Sequence, residues 1–301
     1  LKLKGVHKIW STGEHAVRGV DMELRRGQVT ALLGHNGAGK STTFSMISGM
    51  VVPSKGIMKY DMGKRRDKCQ KLMGYCPQYN AIFPKMTVDE HLEFFATLKG
   101  AKSWRKDATF MLEILLLDNM RDKPYQLAAG LSGGMKRKLN ICIALAGGSP
   151  IILLDEPTAG MDTGARRDFE KLLQVKKKDH TILLTTHYTD EAELLSDNII
   201  ILSGGKAVCS GSPHFLRRRF ESGYVLSCVA ADTKKIDEYS AKTLNLMFNE
   251  LESQFAYLGI LSYGLSLNTL EQVFLKVGEI MGTKDRSKEV NASLRQLIKA
   301  N

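Results

Sequence analysis

The chain has 301 residues, and 43% of them are apolar. At about 100–200 residues per domain this gives two compact units, or one large unit with an appendage, and the apolar content excludes wholesale disorder. Lys and Arg number 43 against 32 Asp and Glu, a net charge of +11 that favours anionic partners such as nucleotides, nucleic acid or an acidic membrane face.

In chain order, residues 1–33 read as strands and turns, ending in the apolar run Val29, Ala31, Leu32 and Leu33 that stops at Gly34. Gly39 to Met50 reads as a helix. Residues 57–76 read as short strands around a basic stretch, Lys64 to Lys68, of the kind found in solvated loops. Val88 to Cys142 has a helical pattern, with Leu92, Phe95, Ala96 and Leu98 on one side. Ile151–Leu154, Thr181–Thr185 and Asn198–Leu202 read as buried strands, with helices at about 164–178 and 189–196 between them. Strands alternating with helices imply an α/β fold whose parallel sheet is covered on both faces.

The pattern changes after about residue 215. Tyr224–Val229 reads as a strand. Leu244, Met247, Phe248, Leu251, Phe255 and Leu258 read as one helix face, stopped by Gly259. Ile260–Tyr263 reads as a second strand, and Asn268 with Glu271 forms a capping box before Leu270, Val273, Phe274 and Val277. The segment is a small βαβα unit, followed by a polar tail. Asn291-Ala292-Ser293 matches a glycosylation acceptor by chance. Cys69, Cys76, Cys142, Cys209 and Cys228 form no CxxC pair, which points to a reducing compartment and away from a disulfide framework or a zinc site. No uncharged apolar run approaches the roughly 18 residues of a membrane span. No signal peptide is read, and from the start at Leu1 a piece of a longer polypeptide is expected.

The chemistry begins between the first buried strand and the first helix. Gly34-His35-Asn36-Gly37-Ala38-Gly39-Lys40-Ser41 fits the P-loop spacing in its strand–turn–helix setting. The glycines let the backbone N–H groups curl around phosphate oxygens, and the helix adds its positive end. Lys40 reaches the terminal phosphates and the Ser41 hydroxyl can ligate Mg²⁺. The motif says nucleoside triphosphate and leaves the task open. Ile151 to Leu154 then delivers Asp155 and Glu156 to a strand end, where α/β sheets place ligands. Asp155 suits Mg²⁺, and Glu156 can take a proton from the water that attacks phosphorus.

Leu131-Ser132-Gly133-Gly134-Met135-Lys136-Arg137-Lys138 precedes a helix expected over Lys136–Ala146 and makes a second anion site. Here the sequence resembles the ATP-binding cassette family, over about residues 1–212. The resemblance implies that two cassettes face head to tail, each closing its signature, Ser132, Gly133 and Gly134, over the other's ATP. It implies a glutamine loop at Gln78, in Cys76-Pro77-Gln78-Tyr79, which meets Mg²⁺ or water. It also implies a partner-touching loop at Ala159-Gly160-Met161-Asp162 and a switch histidine at His187. Thr42 joins the nucleotide-binding set. Trp10 stands where the family places an adenine-stacking aromatic, commonly tyrosine, and core packing remains open for it. His35 replaces the commoner proline.

LSGGMKRKL, TTHYTDEAELLSD, Gly211-Ser212-Pro213 and YGLSLNTLEQVFLKVGE resemble subfamily A, its first cassette and regulatory domain. The segment from Ala230 to Thr243 is shorter than that regulatory region usually is. The implied fold is a P-loop NTPase: a RecA-like parallel sheet core, an antiparallel β subdomain, an inserted helical subdomain and a small C-terminal α+β regulatory subdomain. The implied domains are 1–214 (helical part about 80–145), 215–280 and a tail at 281–301. The implied activity is ATP hydrolysis driving lipid transport at the cytoplasmic face of a membrane. Its partners are a second cassette, transmembrane domains and a lipid substrate, with no nucleic acid. A soluble ATPase on DNA is the alternative, but the short span from Gln78 to Ser132 carries no heptad arms. A translation-type protein would carry two cassettes and a basic linker. A cassette that only binds ATP would not need Glu156, His187 and Ser132 together.

Overall fold

The computed structural model describes residues 1–60, 73–101, 105, 111–112, 127–219, 224–230, 260–267 and 269–280. The chain divides into two compact units, Leu1–Pro213 and His214–Asn301.

The first unit holds two sheets. Strands β1 (Lys2–Ile9), β2 (His15–Glu23) and β4 (Lys55–Lys59) form an antiparallel sheet in the order β2-β1-β4. The larger sheet contains β3 (Val29–Leu33), β5 (Met73–Cys76), β6 (Ile151–Asp155), β7 (Thr181–Thr186), β8 (Asn198–Ser203) and β9 (Lys206–Gly211). Its order is β5-β6-β7-β3-β8-β9, parallel except for β9, which runs antiparallel to β8. Strands β3 and β7 are buried at every position, as a parallel sheet covered on both faces requires. Leu3, Val6, Val17 and Val20 of the antiparallel sheet share one core with Leu32, Leu153, Leu183 and Ile200 of the parallel one and with Phe44, Met46 and Ile47 of helix α1 (Lys40–Ser48). Each such side chain contributes about 1.5–3 kcal/mol on burial.

Helix α2 (Val88–Leu98) begins with a capping box, Thr87 taking the Glu90 N–H while Glu90 takes the Thr87 N–H. Its buried face is Val88, His91, Leu92 and Ala96. Leu98, expected on the apolar side, is instead exposed, because the helix ends there and its next residue turns inward. Lys99 sends its ammonium to the carbonyls of Ile143, Ala144 and Ala146 at 2.9–3.2 Å. It thereby satisfies the C-terminal carbonyls of helix α3 (Gly133–Leu145). Burial there lowers its pKa to about 8. Helices α4 (Thr163–Lys176) and α5 (Thr189–Leu195) complete the α/β alternation. No helix among the described residues is long and apolar enough to cross a membrane.

The second unit includes α6 (Pro213–Arg219), which starts at its boundary, an antiparallel pair β10 (Tyr224–Ala230) and β11 (Ile260–Leu267), and α7 (Leu270–Ile280). The second strand is four residues longer than the apolar run suggests. Leu270, Val273, Phe274 and Val277 are buried, as their helical spacing predicts. The cap differs from expectation: Gln272 accepts the Thr269 N–H at 3.2 Å, since a helix opening at Leu270 puts Gln272, not Glu271, in the third position. The basic stretch 64–68, the helix expected over 244–258, Asn268 and the tail from 281 lie outside the described residues.

Candidate nucleotide site

Four neighbouring strands, β5, β6, β7 and β3, end on the same edge of the sheet. The loops that follow them carry Gln78, Asp155 with Glu156, His187 and the Gly34–Ser41 turn. Sheet order therefore gathers residues that are far apart in sequence.

The turn after β3 is tight. Gly39 has φ +96°, and a Cβ there would stand 2.6 Å from the Ala16 carbonyl at the start of β2. Only glycine meets both demands. Lys40 opens α1 and is 6% exposed. Its ammonium donates to the Gly34 and His35 carbonyls at 2.6 and 3.1 Å. Burial lowers the Lys40 pKa, and the charges of Glu156 and Asp155 oppose that shift. Asn36, Gly37 and Ser41 are exposed, Ala38 is buried and Thr42 is half-buried. A Cβ on Gly37 would meet nothing within 4 Å. The leading N–H groups of α1 have no acceptor within the helix, so the turn offers donors and one buried cation to an anion.

Beside it, the Thr185 hydroxyl donates to Asp155 Oδ1 at 2.5 Å. Burial raises the Asp155 pKa, and the Thr185 bond opposes it. Glu156 has φ +45°, a conformation that costs a non-glycine residue about 1–3 kcal/mol and persists only where its surroundings impose it. Its N–H is held by Thr185 Oγ1 at 3.0 Å and the Thr185 carbonyl at 3.2 Å. Its carboxylate accepts from Gln78 Nε2 at 3.0 Å and lies 3.1 Å from His187 Nδ1. Those two side chains bracket the two oxygens of one carboxylate.

The signature turn is placed otherwise. Ser132 caps α3, its hydroxyl accepting the Met135 N–H at 3.3 Å. The helix starts at Gly133 rather than near Lys136, so Gly133 and Gly134 form its first turn. The serine cap outweighs the poor helix propensity of two glycines. Ser132 and Gly133 are exposed.

Comparison with known proteins decides the family. The family model described as ABC transporter matches residues 17–159. A solved structure of cbiO1 from Clostridium perfringens, part of the ABC transporter complex cbiONQ, is 30% identical with TM-score 0.62, over 71% of this chain and 89% of that one. The chain belongs to the ABC transporter family. The ABC transporter ced-7 of Caenorhabditis elegans is 41% identical over 92% of this chain and 20% of its own length. The human phospholipid-transporting ATPase ABCA3 is 38% identical over 97% of this chain and 19% of its own length. The resemblance to subfamily A thus holds across nearly the whole chain, which spans about a fifth of the length of these curated relatives. They are transporters by name, so a soluble ATPase on nucleic acid or translation is not favoured.

As a cassette of this family the chain binds ATP, and the residues fit that ligand. The Lys40 ammonium and the open donor turn suit phosphates. The Ser41 hydroxyl, the Asp155 carboxylate and the Gln78 amide oxygen are the hard donors Mg²⁺ takes. Trp10 follows β1 directly and is 37% exposed. The Lys8 ammonium lies 4.9 Å from its ring centroid. Its hairpin runs on through the β1–β2 pair Ile9–His15 to Ala16, the residue whose carbonyl abuts Gly39.

Three functional-site residues escaped the sequence. Thr185 holds both Asp155 and Glu156. Glu191, buried on α5, accepts hydroxyl bonds from Thr158 and Thr186 and so ties the loop after β6 to the end of β7. Burial raises its pKa, and the two hydroxyl bonds oppose that. Arg137, within the Lys136-Arg137-Lys138 run, is 2% exposed. The available signal was helical phase: Arg137 lies one turn before the buried Asn140 and Ile141.

Proposed function

We propose that this chain is the ATP-hydrolysing cassette of a membrane lipid transporter and that it works as one of a head-to-tail pair on the cytoplasmic face. The observation that carries the reading is Glu156, set in an unusual backbone conformation with its carboxylate between Gln78 and His187. A carboxylate so held can align a water molecule and take its proton as the water attacks the terminal phosphorus of ATP.

Lys40 and the N–H groups of Gly34, Asn36, Gly37, Gly39, Ser41 and Thr42 bind the phosphates and orient them, while the Ala38 N–H closes the turn on the His35 carbonyl at 3.1 Å. Trp10 supplies a face for adenine. Ser41, Asp155 and Gln78 would hold Mg²⁺, which when bound neutralises phosphate charge. His187 sits on the other oxygen of Glu156 and can report the loss of the terminal phosphate through that contact. The signature, Ser132, Gly133 and Gly134, serves the neighbouring cassette's ATP, so a complete site needs two chains. The lipid class is suggested by the names of the relatives. The transmembrane domains belong to the longer polypeptide such relatives have. Residues 1–214 form the ATPase domain, 215–280 a regulatory unit that meets its counterpart, and 281–301 a tail.

The test is the ATPase rate per molecule of this chain across a concentration series. The rate should rise with concentration, and Ser132→Arg should depress it about tenfold while MgATP binding stays within about twofold. A fast rate, flat with concentration in a proven monomer, overturns the shared-site reading.

A further inference from the structure

Arg137 lies in the second turn of the signature helix α3, and its guanidinium is almost wholly buried. Burying a cation is costly unless its hydrogen bonds are made. All five of its N–H groups end on main-chain carbonyls. Nε donates to Pro157 at 2.9 Å. One terminal nitrogen donates to Pro77 and, at 3.1 Å, to Gln78. The other donates to Asp155 and Glu156 at 2.6 and 2.7 Å. These carbonyls belong to two loops, one after β5 and one after β6. Strand ends leave such carbonyls without ladder partners, and a buried carbonyl needs a donor. No other natural side chain offers five donors in a planar fork.

The consequence concerns Glu156. Its φ of +45° is maintained from both sides. Thr185 holds the N–H, and Arg137 holds the carbonyl. Gln78, which donates to the Glu156 carboxylate, has its own carbonyl held by the same guanidinium. A charge on the signature helix therefore holds the main chains of Gln78 and Glu156, whose side chains are hydrogen-bonded to each other, in one relative position.

We infer that Arg137 is a positioning residue that makes Gln78 and Glu156 move with the signature helix of their own chain. The inference rests on the proposed function, in which the signature turn of this helix closes on the neighbouring cassette's ATP. Closure there shifts α3, and the fork transmits the shift to the hydrolytic carboxylate here. The two composite sites of a pair are then coupled through a side chain that touches neither nucleotide.

The experiment compares the parent chain with Arg137→Lys, which keeps the charge but has three donors, and Arg137→Gln, which loses both charge and fork. Amide hydrogen exchange of the nucleotide-free chain should rise in peptides covering 76–80 and 155–158 and stay unchanged in 34–41. MgATP affinity should remain within about twofold, while kcat falls about 10²-fold in Arg137→Gln and less in Arg137→Lys, with KM little changed. At concentrations where the parent is paired, its Hill coefficient for ATP should exceed one and that of the variants should fall to one. Parent-like kcat and cooperativity in a folded variant overturn the inference and leave the proposed function standing. A uniform rise in exchange, or loss of folding in both variants, assigns Arg137 to stability alone and also overturns it. A parent chain with no ATP turnover removes the proposed function and this inference with it.

Discussion

The carboxylates at the end of β6 and the signature turn at the start of α3 belong to one set of motifs, yet they are built in opposite ways. Both oxygens of Glu156 meet partners from the same chain, and Asp155 is held by Thr185. Around Gly133 a Cβ would meet nothing within 4 Å, and the nearest atom to one on Gly134 is the Gly160 carbonyl at 3.9 Å. The first region is pre-organised by its own chain. The second presents the leading N–H groups of a helix outward. The carboxylate contacts are thus made within one chain, whereas on the proposed reading the signature gains its ligand only from another molecule. The difference separates variants that damage chemistry from variants that damage assembly.

Glu156→Gln should have the largest effect on the pre-organised side. The amide keeps the shape but cannot take a proton, so turnover should fall about 10²–10⁴-fold. Fluorescent ATP binding should be retained. Phosphate release at the parent rate would remove Glu156 from the base role and erase the contrast with the signature turn.

Trp10→Ala should weaken ATP binding by about 1–2 kcal/mol, the scale of one base–aromatic stack, and leave tripolyphosphate binding unchanged. Calorimetric titration with both ligands separates the cases. Equal weakening would mean that the ring supports the β1–β2 hairpin and, through Ala16, the Gly39 turn.

Asp155→Asn should change the stability of the nucleotide-free chain only slightly, and it sharpens the comparison by exposing what pre-organisation costs. Burial raises the Asp155 pKa above its ordinary 3.8. The folded chain therefore binds this proton more tightly than the unfolded chain. Its contribution is most favourable below the ordinary pKa and declines as pH rises through the raised one. At neutral pH the ionised group opposes folding, so the nucleotide-free variant should melt about 2–4 °C higher. The gain should shrink as pH falls toward 4. The same variant should lose the Mg²⁺ dependence of nucleotide binding. A lower melting temperature at neutral pH would show that the Thr185 bond outweighs desolvation.

The cradle was legible because its chemistry is local: a strand, a glycine turn and a helix start lie within about a dozen residues, and spacing alone specifies them. The strands Ile151–Asp155 and Thr181–Thr186 were legible for a similar reason, since continuous apolar runs mark buried parallel strands. The start of α3 lies three residues before Lys136 because the Ser132 cap carries the helix through two glycines of poor propensity. Leu98 was misplaced because periodicity does not say where a helix stops. Tyr224–Val229 and Ile260–Tyr263 were both readable as strands, but their antiparallel pairing depends on register that neither run contains.

The sequence by itself determined which residues are proposed to bind phosphate, hold a divalent cation and accept a proton, because side-chain chemistry and short spacings are written in it. Only the tertiary structure decided that Gln78, Glu156 and His187 converge, that Glu156 takes a left-handed backbone, and that Arg137 is buried on the carbonyls of two loops. The physical reason is the order of the strands. Parallel neighbours β5, β6 and β7 bring three distant chain segments to one edge of the sheet, and the unpaired carbonyls left at that edge demand a donor that no local pattern announces.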